Sequence, residues 1–161
     1  MKEDKRLRKV CFTGHRPEKL GIDEGEVKHR LRIAIRDAIK DGYITFISGM
    51  ARGVDMWAAE IVLEEREEND NIKLVCASPF EDFEKSWSSI ERNRYNDILR
   101  NADYIKYVCA GYSRQCFQIR NVWMVNHSAR VIAVYNGNSG GTRNTIRYAS
   151  DKGVEIYNIL D

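Results

Sequence analysis

The sequence lacks any long hydrophobic run. None of its apolar stretches approaches the roughly 20 residues needed to cross a bilayer, so we expect no membrane span. The charged residues at its start have no apolar segment behind them, which argues against a secretory signal. These two absences predict a cytoplasmic protein.

Histidine and cysteine are both scarce, with three and four residues respectively. The histidines do not stand at zinc-ligand spacing from the cysteines, so no metal site is expected. There is no Cys-x-x-Cys and no disulfide-like spacing, which predicts free thiols in a reducing compartment. We place Cys11, Cys76 and Cys109 in strands and Cys116 in a helix.

Strong charge of either sign is also missing. The net charge of +2 does not by itself indicate nucleic-acid binding, which would need basic residues clustered on one face. The 161 residues show no internal repeat, low-complexity tract or linker. We therefore predict one domain over residues 1–161, with residues 1–8 as a mobile N-terminal tail.

Apolar, β-branched runs alternate with amphipathic patterns of helical period. The runs are mostly continuous, as in strands that are covered on both faces. They predict strands at 8–13, 43–48, 72–77, 104–109, 131–135 and 154–160. Helices are predicted at 26–40, 54–66, 86–101, 114–127 and 142–151. Crossovers of this length predict an α/β, Rossmann-like fold with a doubly wound, mainly parallel sheet of about six strands and helices on both faces.

The loop after the second predicted strand, at 48–55, reads Ser-Gly-Met-Ala-Arg-Gly-Val-Asp. It is neither Gly-x-Gly-x-x-Gly nor a Walker loop. Gly49 and Gly53 permit close backbone approach to a ligand, and the following helix directs free N–H groups and its positive dipole end there. Arg52 would contact phosphate, and Asp55 could bind a ribose hydroxyl. The alternative is a plain turn in which Asp55 stands near the helix start or caps it.

The loop after the fifth predicted strand carries Gly140, Gly141 and Thr142. The glycines permit positive φ and close approach, while Thr142 offers a hydroxyl and an N-cap. By itself this pattern fits a bare helix cap equally well. Because both loops open at the carboxyl edge of the sheet, where parallel sheets place their ligands, we favour a second phosphate loop.

A third loop follows the first predicted strand and contains Gly14, His15 and Arg16. Arg16 could pair with a phosphate in bidentate fashion. His15 could act as an acid or base, since its ordinary pKa lies near neutrality, but a structural role is the more common one for such a residue.

Two further groups of residues admit both a site role and a structural one. Arg120 and Asn121 form a polar pair on an otherwise apolar predicted helix, and they could reach the site or form a surface ion pair. The segment 80–95 holds Phe80, Phe83, Trp87 and Tyr95, whose rings could stack on a base or pack the segment onto the sheet.

Four motifs together resemble the YpsA-like family. They are Thr-Gly-His-Arg-Pro, Ser-Gly-Met-Ala-Arg-Gly-Val-Asp, Arg-Asn-x-x-Met-Val-Asn and Gly-Gly-Thr-x-x-Thr, in that order, in a stretch from about Val10 to Ile159. This family belongs to the SLOG superfamily, which also contains DprA (Smf) and the LOG phosphoribohydrolases. The resemblance implies a Rossmann-like fold, a nucleotide-derived ligand, a bacterial cytoplasmic setting and a homo-oligomer, and it leaves activity open.

The LOG pattern Pro-Gly-Gly-x-Gly-Thr-x-x-Glu is incomplete in this chain. At 139–147 the proline, the third glycine and the glutamate are missing, which puts LOG-type hydrolysis in doubt. Asp55 and Glu60 are the nearby acidic substitutes, and His15 is a further catalytic candidate.

The leading hypothesis is a sensing or signalling module that binds a phosphate-bearing nucleotide derivative, such as ADP-ribose or a dinucleotide. A nucleotide N-glycosidase or phosphohydrolase using the same pocket is the second hypothesis, and DprA-like single-stranded DNA binding is the third and not favoured. The predicted ligand-binding residues are Gly14, His15, Arg16, Ser48, Gly49, Arg52, Gly53, Asp55, Arg120, Asn121, Gly140, Gly141 and Thr142.

Overall fold

The computed structural model describes residues 6–161. Of the predicted tail at 1–8, residues 1–5 therefore lie outside the described part. Residues 6–8 form a turn, and the Arg8 carbonyl accepts the N–H groups of Ile44 and Thr45 at 3.0 and 3.1 Å.

The six strands form one sheet in which every pair is parallel, in the order β4-β3-β2-β1-β5-β6. Their bounds are β1 Lys9–Gly14, β2 Thr45–Ser48, β3 Lys73–Ser78, β4 Tyr104–Tyr107, β5 Arg130–Val134 and β6 Glu155–Asn158. The predicted Rossmann-like sheet of about six strands is confirmed. Because β4 ends at Tyr107, the placement of Cys109 in a strand was wrong, and this residue lies in the following bend.

Six helices connect these strands. They are α1 Pro17–Leu20, α2 Glu24–Lys40, α3 Val54–Glu68, α4 Ser89–Asn101, α5 Cys116–Asn126 and α6 Gly141–Asp151. Side-chain oxygens of Asp23 and Ser88 accept the N–H groups of Glu26 and Glu91 at 3.3 Å, which fixes the starts of α2 and α4. The sequence pattern did not predict α1, because one turn is too short to show a helical period.

The helices cover both faces of the sheet. The inner sides of α2, α3 and α4 pack on one face in a core that includes Phe12, Phe46 and Leu74. On the other face, α5 and α6 form a smaller core with Met124 and Ala149. The sheet is thus buried on both sides, which explains why its strands read as continuous apolar runs.

The chain reverses its direction across the sheet next to β1. It moves outward from β1 through β2 and β3 to β4, and then returns to place β5 on the other side of β1. The loops that follow β1, β2 and β5 consequently lie side by side at the carboxyl edge. This topological switch point is where open parallel sheets form their ligand crevices.

Two negative findings hold for residues 6–161. No helix there is long and apolar enough to cross a membrane, and no three His, Cys, Asp or Glu side chains are grouped as a metal site would require. The four cysteines are free: Cys11, Cys76 and Cys116 are buried, while Cys109 is partly exposed.

Gly14 is required by the packing of β1 against α3. A Cβ atom at this position would lie 2.7–2.8 Å from the side-chain carbons of Val54. We expect Gly14→Ala to lower the free energy of unfolding by about 1–3 kcal/mol, as is typical of overpacking. Chemical denaturation measures this loss. Gly141→Ala is the matched control, because a Cβ at Gly141 meets nothing within 4 Å, and a similar loss in both variants would contradict the packing argument.

Candidate functional site

A cavity of about 790 Å³ opens at the switch point. Its volume falls within the range of small-molecule pockets. The loops after β1, β2 and β5 form one part of its wall, and residues of β1, of the 79–88 loop and of the six helices form the rest. All of the predicted ligand-binding residues line the cavity except two. The lining members are Gly14, His15, Arg16, Arg52, Gly53, Asp55, Arg120, Asn121, Gly140, Gly141 and Thr142.

The two exceptions, Ser48 and Gly49, are buried behind the cavity wall. The Ser48 hydroxyl donates to the Asp55 carbonyl at 2.8 Å and accepts the Met50 N–H at 3.2 Å. Met50 takes a left-handed conformation with a φ of 63°, which is uncommon for a residue other than glycine. Ser48 therefore fixes a sharp turn between β2 and α3.

Gly49 separates two buried charged side chains. A Cβ at this position would lie 2.9 Å from Asp55 Oδ2 and 3.1 Å from Arg120 Cζ. Arg120 reaches over from α5, donates through Nη1 to the Gly49 carbonyl, and donates through Nε to Asn121 Oδ1 at 2.8 Å. Of the two roles considered for Arg120, the structure shows an inner one: this side chain is buried in the wall and is not part of a surface ion pair.

Burial acts against the charge of both side chains. It raises the pKa of Asp55, while the Arg120 guanidinium and the Ala51 N–H at 3.3 Å oppose that rise. Burial likewise lowers the pKa of Arg120, and Asp55 opposes that change. The Arg120 guanidinium nevertheless stays protonated, as arginine does in proteins.

His15 presents an unpartnered nitrogen. Its side chain is 5% exposed and lines the cavity, yet Nε2 has no hydrogen-bond partner among the described residues. The ring stacks on Tyr135 with centroids 5.3 Å apart, and the backbone N–H donates to the Val134 carbonyl at 3.1 Å. Burial and the nearby Lys19 ammonium lower the pKa of His15, which favours a neutral imidazole at pH 7.

Two helices begin at the cavity, and each is preceded by a glycine at its N-cap. Gly53 precedes α3 with a φ of 89°, and Gly140 precedes α6 with a φ of 138°, both strained for any other residue. The first N–H groups of each helix lack intrahelical acceptors. The prediction that Thr142 caps α6 was wrong: Gly140 is the N-cap, and Thr142 is the second residue of the helix.

Two cationic side chains at the cavity have no acidic partner. Arg16 and Arg52 are both exposed, and neither forms a salt bridge within residues 6–161. The Arg52 guanidinium carbon instead lies 5.1 Å from the centroid of the Trp87 ring. These two guanidinium groups are therefore available to an anion.

The aromatic residues of the predicted segment divide into two groups. Phe83 and Trp87 line the cavity, whereas Tyr95 is buried beneath them with its hydroxyl 2.6 Å from Ser78 Oγ. Phe80 lies to one side and makes edge contacts with Phe83. Packing thus accounts for Phe80 and Tyr95, while Phe83 and Trp87 remain accessible to a ligand.

The acidic candidates are already engaged. Glu60 does not line the cavity and is paired with Arg94. Asp55 lines it, but its carboxylate faces Arg120 and accepts the Ala51 N–H. Thr145 of α6 donates its hydroxyl to the Gly141 carbonyl at 2.8 Å.

Several lining residues were not predicted from the sequence, among them Glu18, Lys19, Glu24, Glu91, Arg94 and Phe117. Two of them, Phe117 and Lys19, had a positional signal. Phe117 stands three residues before Arg120 on α5, a spacing that puts side chains on the same helix face. Lys19 stands three residues after Arg16, on the short helix α1.

The fold and the cavity define a doubly wound α/β protein with a crevice at the switch point of its sheet. The chain belongs to the YspA SLOG family, whose model (YpsA) matches residues 10–158. The resemblance found in the sequence motifs is confirmed. UPF0398 proteins of Bacillus thuringiensis (strain Al Hakam) and Bacillus cereus (strain AH187) are each 29% identical to it, over 94% of this chain and 87% of the relative.

Two solved structures share the fold. DNA processing protein A (DprA) from Streptococcus pneumoniae superimposes with a TM-score of 0.66 at 16% identity, over 92% of this chain and 48% of that protein. DNA processing protein A from Helicobacter pylori, solved in a study of its single-stranded DNA binding mode, gives 0.63 at 23% identity, over 92% and 63%. The chain thus spans about half of the first protein and under two thirds of the second.

The raised pKa of Asp55 predicts a pH-dependent stability. Because the folded pKa lies above the ordinary value of 3.8, the folded state binds more protons than the unfolded state between those two values. The stabilising contribution of Asp55 therefore falls as pH rises through this window. We expect the stability of the wild type relative to Asp55→Asn to decrease as the pH rises above the ordinary pKa of 3.8, as measured by urea unfolding. A difference that is constant or grows with pH would contradict this assignment.

Proposed function

We propose that the cavity binds a phosphate-bearing, nucleotide-derived ligand such as ADP-ribose or a dinucleotide, and that the protein acts as a sensing or signalling module. One observation carries the proposal: two glycine-opened helix N-termini and the exposed residues Arg16 and Arg52 line the same cavity. These groups are hydrogen-bond donors, and a phosphate group supplies acceptors to them all.

The cavity wall carries five arginine and lysine side chains and four acidic ones, and those of its basic side chains that lack a partner support an anionic ligand. Arg16 and Arg52 have no carboxylate partner in the described chain, and a guanidinium pairs with phosphate in bidentate geometry. The N-termini of α3 and α6 add their dipoles.

Neither carboxylate predicted to act in hydrolysis is free in the cavity, whereas His15, the remaining catalytic candidate, lines it. A general base or acid needs a carboxylate or imidazole that is free to exchange a proton with the substrate. Asp55 is held by Arg120 and Ala51, Glu60 does not line the cavity and is paired with Arg94, and the LOG glutamate is absent from residues 139–147. The cytoplasmic location and the homo-oligomer stay predictions.

Titration of ADP-ribose and of the dinucleotide NAD⁺ tests the proposal. A ligand that binds only the folded state stabilises it by about 2.7 kcal/mol at a hundredfold excess over Kd, so we expect a higher Tm. Arg16→Gln and Arg52→Gln should each weaken binding by about tenfold or more, because a charge-assisted hydrogen bond is lost. Thermal unfolding measures the rise in Tm, and calorimetric titration measures the loss of affinity.

Arg114→Gln is the matched control, because Arg114 is exposed and does not line the cavity. Equal affinity in all of these variants, or no binding of either nucleotide, would contradict the proposal. Release of free base or ribose phosphate during the titration would point to the hydrolase alternative. Tight binding of single-stranded DNA that weakens steeply with salt would favour the DprA-like one.

A further inference from the structure

An aromatic wall stands at the end of the cavity away from α6. We define it as Phe83, Trp87 and Phe117, which come from the 79–88 loop and from α5. The centroid of the Phe83 ring lies 5.0 Å from that of the Trp87 ring and 5.7 Å from that of the Phe117 ring. All three residues are partly buried, and each therefore keeps some surface at the cavity while Phe83 and Trp87 also pack against the main core.

The indole of Trp87 carries a cation over one face and has no ring stacked parallel to it. Phe83 and Tyr95 meet it nearly perpendicular, at 73° and 85°, so neither ring stacks on it. The planar guanidinium of Arg52 lies over the ring instead, and both residues line the cavity. A cation held over an aromatic face occupies the surface on which a nucleobase stacks. An exposed contact of this kind is weak, so a base can displace it.

Strand spacing sets the distance between the aromatic wall and the α6 end. The loop after β3 and the loop after β5 are three strand positions apart, which corresponds to about 14 Å. One phosphate attached directly to a nucleoside would leave one end of such a cavity unfilled. A diphosphate with a group on each side, as in ADP-ribose, matches an elongated site of this kind.

The side chain of Asn121, beside the aromatic wall, can donate hydrogen bonds to the edge of a nucleobase. Asn121 lies four residues after Phe117 on α5 and lines the same cavity. Its Oδ1 accepts from Arg120 Nε, which directs the amide nitrogen elsewhere and leaves its N–H groups as donors. Ring nitrogens and carbonyl oxygens of a base are suitable acceptors.

We propose that the aromatic wall is a nucleobase subsite in which the base stacks on Trp87, while Arg52 leaves the ring to bind the adjoining phosphate. The inference rests on the proposed function, because the base subsite and the phosphate site would hold two parts of the same ligand. It specifies an elongated nucleoside diphosphate derivative, with its base at Trp87 and its far end toward the N-terminus of α6.

Calorimetric titration of ADP-ribose and of inorganic pyrophosphate into the wild type, Trp87→Leu and Trp87→Phe tests this assignment. We expect Trp87→Leu to weaken ADP-ribose about fivefold to 150-fold, the range for loss of one base–aromatic stack, and to leave pyrophosphate unchanged. Trp87→Phe keeps a stacking ring and should restore most of the affinity. Trp123→Leu is the control for tryptophan removal, since Trp123 does not line the cavity, and thermal unfolding verifies that each variant is folded.

The remaining outcomes separate the two proposals. Unchanged ADP-ribose affinity in Trp87→Leu would overturn the base subsite and leave the phosphate site intact. An equal loss for ADP-ribose and pyrophosphate would also overturn it, because Trp87 would then support the phosphate end. If the wild type binds neither compound, the proposed function itself fails, and the base subsite fails with it.

Discussion

The carboxyl edge of the sheet is held together by the buried contact of Arg120 with Gly49. Helices α3 and α5 lie on opposite faces of the sheet, yet Asp55 of α3 and Arg120 of α5 meet on either side of this one glycine. Arg120 donates to the Gly49 carbonyl, and Ser48 fixes the adjoining turn. The two layers are thereby joined at the point where the cavity opens.

This arrangement is costly for a protein core. Desolvation raises the pKa of Asp55 and lowers the pKa of Arg120, so it favours the neutral form of each side chain. Buried charges of this kind stabilise a fold less than apolar packing does. The contact does, however, keep the loop from Gly49 to Gly53 in one conformation. A fixed loop presents the N-terminus of α3 and Arg52 to a ligand without further ordering, which is the advantage of a preorganised site.

Much of the fold could be predicted from the sequence because its signals are local. Continuous apolar runs identified the strands, and helical periodicity identified five of the six helices, all except the one-turn α1. The loops of the site could be assigned to one edge, since parallel strands deliver their carboxyl ends there. The helix cap at Gly140 was misassigned to Thr142, because a glycine with positive φ can replace the side-chain cap that the pattern suggests.

Contacts between distant segments could not be predicted. The stacking of His15 on Tyr135 leaves the imidazole both buried and unpartnered, and it joins positions far apart in the chain. Phe117 joins the rings of the 79–88 loop only because α5 crosses beside it. Arg120 had two open roles in the sequence, and only the packing of α5 on β3 and β5 decides between them. Such contacts depend on the tertiary arrangement, which local periodicity does not encode.

The central claim is that a nucleotide-derived phosphate binds where α3 and α6 begin. The most direct test follows backbone amide signals by ¹H–¹⁵N NMR during titration with ADP-ribose. The account predicts the largest shift changes at Gly53, Gly140 and Gly141, whose amides stand at the helix starts. Changes confined to the smaller cavity of about 360 Å³ beside Arg30 and Tyr157, or no changes at saturating ligand, would contradict it.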